Sequence, residues 1–191
     1  MRIIAGKFKG KRLNGPKNIN TRPTLDRVKE AMFSMIDDYI YGAKVLDLFG
    51  GTGSLGIEMI SRGSSFALIN EFDKTAFKVI LSNIQLTNCT NYVKISMKDY
   101  LKCLKKINES NEKFDVIFLD PPYASDYLKK SLEYISQSKS ILSENGIIVY
   151  ESDKSFVNDD LEKYLDDLEN LECIKTKFYG RVIVKLFKWR N

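Results

Sequence analysis

From residue 43 to its end, this chain alternates short apolar runs with amphipathic stretches, and that alternation limits its possible folds more than any other feature. The runs at 43–49, 66–70, 92–97, 114–119 and 146–151 are rich in Val, Ile, Leu and aromatics, as strands covered on both faces must be. Between them lie helical signals. Residues 54–62 end at Gly63, a residue suited to a helix C-terminus. Asp73 can cap a helix that buries Phe77, Ile80, Leu81 and Ile84 at helical spacing. Residues 100–107 and 126–138 read as further helices, and 159–171 as an acidic one with Leu161, Tyr164, Leu165 and Leu168 on one face. Residues 174–179 and 181–187 read as a closing hairpin around Gly180. Such alternation predicts an α/β, Rossmann-like, doubly wound sheet of seven mostly parallel strands, with the last hairpin antiparallel at one edge.

Residues 1–41 stand outside the alternation. Stretches 2–5 and 11–13 can pair across Gly6–Gly10, and Thr24 can cap a helix with Leu25, Val28, Met32, Met35, Ile36 and Tyr39 on one face. The chain thus divides into a basic hairpin-and-helix extension, 1–41, appended to a larger domain, 42–191. Charge follows the same division. Of the 191 residues, with net charge +5, the first thirty hold nine Lys and Arg against two acids, while the rest hold 21 bases against 23 acids. A basic arm on a near-neutral body predicts a polyanionic partner. Lysine outnumbers arginine 23 to 7, so a lysine-rich surface with no partner also fits the charge.

The chain has no histidine, which excludes a Ser-His-Asp triad, a Cys-His pair, an HExxH zinc site and a histidine base. Its three cysteines, Cys89, Cys103 and Cys173, form no CxxC pair, so neither a structural metal nor a disulfide framework is expected. No apolar run is long enough to span a membrane, and 1–13 lacks the apolar stretch of a signal peptide. These features predict an unprocessed, soluble protein of a reducing cytosol.

The sequence from Val45 to Gly56, VLDLFGGTGSLG, is strand, glycine turn and helix. Gly51, Gly53 and Gly56 match G-x-G-x-x-G, and Glu71 lies at the end of the next strand, placed for ribose hydroxyls. Asp47 chooses between cofactors. A carboxylate just before the glycines would repel a pyrophosphate and would welcome a cationic cofactor bearing an amino group and a sulfonium. S-adenosylmethionine is therefore favoured over NAD. Asp99, after the third strand, can accept an adenine amino group, cap the helix that follows, or do both.

Asp120-Pro121-Pro122-Tyr123 follows the strand FDVIFL, which in a doubly wound sheet lies beside the glycine-loop strand. Two of the four prolines stand here, holding the loop open and its carbonyls free. The chemistry that suits this arrangement is methyl transfer to a planar, conjugated amino group, although a strand ending in a rigid turn would also carry these residues. The nitrogen lone pair is delocalised into the ring, and two acceptors, the Asp120 carboxylate and the Pro121 carbonyl, can localise it and aim it at a methyl group. Tyr123 offers a ring face for the base.

The glycine and DPPY motifs resemble those of class I S-adenosylmethionine-dependent methyltransferases acting on exocyclic amines. Arg2-Ile3-Ile4-Ala5-Gly6, Lys9-Gly10-Lys11-Arg12-Leu13, Arg22-Pro23-Thr24 and Arg27-Val28-Lys29-Glu30-Ala31-Met32-Phe33 narrow the resemblance to the RsmD family, over essentially the whole chain. The resemblance implies methylation of the guanine N2 amino group in the helix-31 loop of 16S rRNA, naked or in an assembling small ribosomal subunit. By it, Asp47, Gly51 and Gly53 line the cofactor site, Glu71 binds the ribose, Asp99 lies near the adenine, and Asp120, Pro121, Pro122 and Tyr123 hold the guanine. RNA contact falls to Lys7, Lys9, Lys11, Arg12 and Arg22. A cytoplasmic monomer without metal is expected. Competing readings are a DNA amino-methyltransferase, which usually needs more sequence to read its target, and a protein glutamine methyltransferase, against which the basic arm argues. An NAD-dependent oxidoreductase is disfavoured by Asp47, and a non-catalytic RNA-binding assembly factor leaves DPPY idle.

Overall fold

A computed structural model describes residues 1–15, 23–122 and 126–190. Seven strands form one sheet: β1 (Lys44–Asp47), β2 (Phe66–Asn70), β3 (Val93–Ser96), β4 (Phe114–Leu119), β5 (Leu142–Asp153), β6 (Leu171–Tyr179) and β7 (Val182–Trp189). Their order is β3-β2-β1-β4-β5-β7-β6. The first five pair in parallel, and β7 runs antiparallel to both β5 and β6. The sheet is therefore doubly wound and mostly parallel, as the alternation predicts, with the closing hairpin at one edge.

Among the described residues, six α-helices cover it: α1 (Pro23–Met35), α2 (Ser54–Arg62), α3 (Lys74–Thr87), α4 (Tyr100–Ser110), α5 (Tyr127–Gln137) and α6 (Asp159–Asp166). The apolar faces of α1, α2 and α3 pack on one side, with Met32, Phe33, Ile57, Ile60 and Ile80 against Val45, Ile69, Val116 and Phe118. Those of α4, α5 and α6 pack on the other, with Leu104, Leu132 and Leu165 against Leu46, Ile117 and Tyr150. No helix of the described residues is long and apolar enough to cross a membrane.

Local signals account for several boundaries. Gly63 ends α2 at φ +110°, and the Asp73 side chain accepts from the N–H groups of Thr75 and Ala76 at the start of α3. Other expectations are corrected. α1 begins at Pro23, so Thr24 lies inside the helix, where proline at the first position already presets the backbone. In α3, Leu81 is exposed, and the inward face continues instead through the buried Asn83 and Thr87. The acidic helix stops at Asp166, and Leu168 is buried beyond it. The N-terminal pairing is a single antiparallel bridge, Arg2 with Arg12, rather than two strands.

The arm is also more than an appendage. Ile3 and Leu13 are buried in the core beneath α1, α2 and α3. Glu58 of α2, with no exposure, accepts from Ile4 N–H at 2.8 Å and Ala5 N–H at 2.9 Å, and pairs with Lys29 at 3.0 Å and Arg62 at 2.9 Å. Further along, the buried Asn83 amide accepts from Asn14 N–H at 2.7 Å and donates to the carbonyls of Asn14 and Thr52 at 3.0 and 2.9 Å. One side chain thereby ties the end of the arm to the loop after β1.

Candidate active site

Asp47 stands opposite Phe118 in the β1–β4 ladder, so the loops leaving these strands emerge together. The chain runs outward from β1 to β2 on one side and returns as β4 on the other, the switch point where such sheets open a crevice. A cleft of about 560 Å³ lies there, walled by Gly51, Glu71, Asp99, Asp120, Pro121 and Pro122 from four successive β–α loops.

Gly51 holds φ at +55° with open space around the position a Cβ would take, so its backbone faces the cleft bare. Its N–H donates to Glu71 Oε2 at 2.8 Å, and Asp73 N–H donates to Glu71 Oε1 at 2.7 Å, which fixes that carboxylate at the wall. Asp99 caps α4, accepting from Leu101 and Lys102 N–H at 3.0 and 3.3 Å, while lining the cleft. Asp120 also borders a neighbouring hollow of about 290 Å³ formed with Met1, Gly15, Gly50, Thr52 and Leu55. It thus stands where two openings meet.

Two residues expected in the wall lie behind it. Gly53, at φ +77°, packs inward toward Ile57, Ile69 and Ile80, so it serves the turn. Asp47 is 1% exposed, and its Oδ2 accepts from Gly56 N–H at 3.2 Å. It touches the glycine loop rather than the cleft. Tyr123 and Arg22 lie outside the described residues.

Burial pushes the Asp47 carboxyl up to about 7. The Glu71 charge adds to the rise, while the Gly56 N–H and Lys29 oppose it. Burial, then the charges of Glu151 and Asp47, hold Asp120 well above the usual carboxylate range. Folding therefore takes up protons at these sites. The folded chain binds a proton on Asp47 that the unfolded chain has lost, so stability declines as pH rises from 3.8 toward about 7. Urea unfolding between pH 5 and pH 8 should show this decline, and Asp47→Asn should lessen it. An unchanged slope in that variant would mean that Asp47 ionises normally.

The family described as "Conserved hypothetical protein 95" matches residues 1–188. YlbH of Bacillus subtilis is 35% identical over 191 residues, the whole of both chains. A Haemophilus influenzae protein named "Ribosomal RNA small subunit methyltransferase D" is 32% identical over 189 residues, covering 98% of this chain and 93% of its own. The solved structure of HI0767, also from Haemophilus influenzae, superposes with a TM-score of 0.76 at 31% identity, covering 97% of this chain and 96% of that one. The chain belongs to the RsmD family of methyltransferases.

The fold is that of class I methyltransferases, for which S-adenosylmethionine is the methyl donor, and the cleft of this RsmD-family chain suits that donor. Besides Gly51 and Glu71, it has an aromatic wall that the sequence does not announce. The rings of Phe49 and Tyr127 are stacked 6° from parallel with centroids 6.2 Å apart, and Tyr100 lies 4.5 Å from Tyr127. Exposed Phe72 lines the same cleft, adding to its apolar surface. Phe49, Tyr100 and Tyr127 come from three different loops or helix starts, so no spacing along the chain links them. Lys29, Glu58 and Asn83 did carry a signal: each is a polar residue on a helix face otherwise made of core positions.

The structure separates the basic arm residues. Lys7 lies over the Tyr92 ring at 4.2 Å, and its backbone N–H donates to the Ser61 carbonyl at 2.8 Å near the end of α2. Lys11 Nζ donates to the Leu86 carbonyl at 3.1 Å near the end of α3. Lys9 and Arg12 are exposed. The arm's ends, at Met1 and Gly15, reach the hollow beside Asp120.

Proposed function

We propose that this chain transfers a methyl group from S-adenosylmethionine to the exocyclic N2 amino group of a guanine in the helix-31 loop of 16S rRNA. The observation that carries the reading is the meeting of Asp120, Pro121, Gly51 and Glu71 in one cleft, in a chain whose relatives include proteins named for methylation of small-subunit rRNA. S-adenosylmethionine supplies a sulfonium methyl whose C–S bond breaks, the electron pair staying on sulfur, as the N–C bond forms. The chain's residues do the rest. Glu71 accepts the ribose hydroxyls, Asp99 and the aromatic wall hold the adenine, and Gly51 lets the backbone approach. Asp120 and the Pro121 carbonyl each accept one N–H of the target amine, drawing its lone pair out of conjugation and balancing the forming positive charge. Tyr123 stacks on the base. Residues 1–41 contact RNA and 42–191 carry the chemistry, in a cytoplasmic monomer that uses no metal.

Glu71→Ala should weaken S-adenosylmethionine binding by about 1–3 kcal/mol, the value of a charged hydrogen bond, as read by calorimetry. Unchanged affinity would take Glu71 out of the cofactor site. Neutralising Lys7, Lys9, Lys11 and Arg12 should weaken RNA binding and flatten its salt dependence by about 0.7 in log-log slope for each phosphate no longer neutralised. Deleting the arm is the wrong test, because it also removes Ile3 and Leu13 from the core and two amides from Glu58. If RNA affinity and salt slope survive the four substitutions, the arm charges are solvated surface. The reading as a whole is tested by offering labelled S-adenosylmethionine with unmodified 16S rRNA, small-subunit particles, DNA and bulk protein in parallel. Label should enter the rRNA or the particles; entry into DNA or protein alone would refute an rRNA substrate.

A further inference from the structure

Asp120 has a carboxylate neighbour that the DPPY motif does not include. Leu119 of β4 pairs with Tyr150 of β5, so the next residues, Asp120 just past the end of β4 and Glu151 still within β5, stand side by side. Adjacent strands stand about 4.8 Å apart. Leu119 and Tyr150 pack toward α4, α5 and α6, so alternation turns Asp120 and Glu151 to the other face, the side of α1 and α2. There α1 presents Lys29, buried and paired with Glu58, with Arg62 on the far side of Glu58. Asp47 flanks Asp120 from β1. The β7 residue opposite Glu151 is the uncharged Val184, and its neighbour Lys185 is engaged with Glu162. Asp120 lines the cleft, and Glu151 stands beside it on the neighbouring strand, so Glu151 acts on the chemistry through Asp120.

We propose that Glu151 is a positioning residue for methyl transfer: beside it, the Asp120 carboxylate takes the proton that the target amine loses, and the two carboxylates hold that one proton between them. This rests on reading Asp120 as the amine's acceptor. An amine methylated at nitrogen must shed a proton, and an isolated carboxylate is a weak base for it near neutral pH. A second carboxylate alongside, half-buried like the first, raises the proton affinity of the first. Burial and this mutual repulsion lift Asp120, while burial lifts Glu151 and Lys29 opposes that rise. As the N–C bond forms and the donor's C–S bond breaks with its electron pair on sulfur, the proton passes from nitrogen to Asp120 Oδ. The pair then holds that one proton, which leaves to water with product release.

The test is a carbon-13 titration of the Asp and Glu carboxyls of the free, full chain, paired with the pH profile of rRNA methylation. The wild type should show Asp120 and Glu151 titrating in two linked steps, the upper one above the ordinary carboxylate range. Glu151→Gln should leave one step at Asp120 and move the acid limb of the rate to lower pH by about one unit, because a like charge is gone. Glu151→Asp, which keeps the charge, should restore the two steps and the limb. S-adenosylmethionine affinity should be the same in all three. A single Asp120 step in the wild type, or a wild-type limb in Glu151→Gln, would overturn the proposal. If Glu151→Gln does not fold, the wild-type titration decides alone. Absence of rRNA methylation at every pH would instead sink the substrate reading and leave the titration standing.

Discussion

Asp120→Ala is expected to fold, to bind S-adenosylmethionine as the wild type does, and to methylate its RNA about 10²–10³-fold more slowly, the usual cost of one preorganised polar group at a reacting centre. The fold should not suffer, because Asp120 is held among the like charges of Glu151 and Asp47. Removing it relieves repulsion, so the urea midpoint at pH 8 should match or exceed that of the wild type. Asp120→Asn separates shape from charge. Asparagine keeps one acceptor oxygen but can neither balance a cationic nitrogen nor take its proton. A rate between wild type and Ala points to electrostatics, and a rate close to wild type points to geometry alone. Full activity in Asp120→Ala would falsify the mechanism.

Glu58→Ala should be the most destabilising single change in the arm's attachment, costing about 3–5 kcal/mol in urea unfolding, the range found when a buried ion pair loses one partner. Both carboxylate oxygens are fully used. Oε2 serves Ile4 N–H and Lys29, and Oε1 serves Ala5 N–H and Arg62. Without them the Lys29 ammonium, only 8% exposed, loses its counter-charge, and two arm amides lose their acceptors. Arg2→Ala supplies the contrast. Its ion pair with Asp26 has one partner 61% exposed, so it should cost under about 1 kcal/mol. Similar losses in the two variants would show that Glu58 is not what secures the arm.

The sheet was legible where apolar runs ended in glycine or a capping aspartate. β2, β4 and α2 occupy the expected residues, since Phe66–Asn70 and Phe114–Leu119 are mostly apolar runs and Gly63 stops the helix before β2. β5 is longer than expected, starting at Leu142 rather than at Gly146. Glycine usually weakens a strand, but here a Cβ would lie 3.1 Å from the carbonyl oxygens of Phe114 and Asp115, so the close approach of β4 demands it. In α3 the apolar stripe runs through Leu81 in the sequence, whereas the buried positions after Ile80 are Asn83, Ile84 and Thr87; polar burial is tolerated there because the arm and the glycine loop satisfy the Asn83 amide. The site divides along the same line. Gly51, Glu71, Asp99 and the Asp120 loop carry signals in their own sequence neighbourhoods. Glu151 carries none, because its place beside Asp120 depends on the β4–β5 register, a property of two strands together.

The central claim is that the cleft shared by the glycine loop and Asp120 methylates a guanine amine. It is tested most directly by digesting the labelled 16S rRNA product to nucleosides and identifying the labelled one by mass spectrometry. The account predicts a single labelled nucleoside, N2-methylguanosine, from rRNA treated with the wild-type chain, and its near absence with Asp120→Ala. Label in a methylated adenosine or cytidine, or on a ribose, would contradict it.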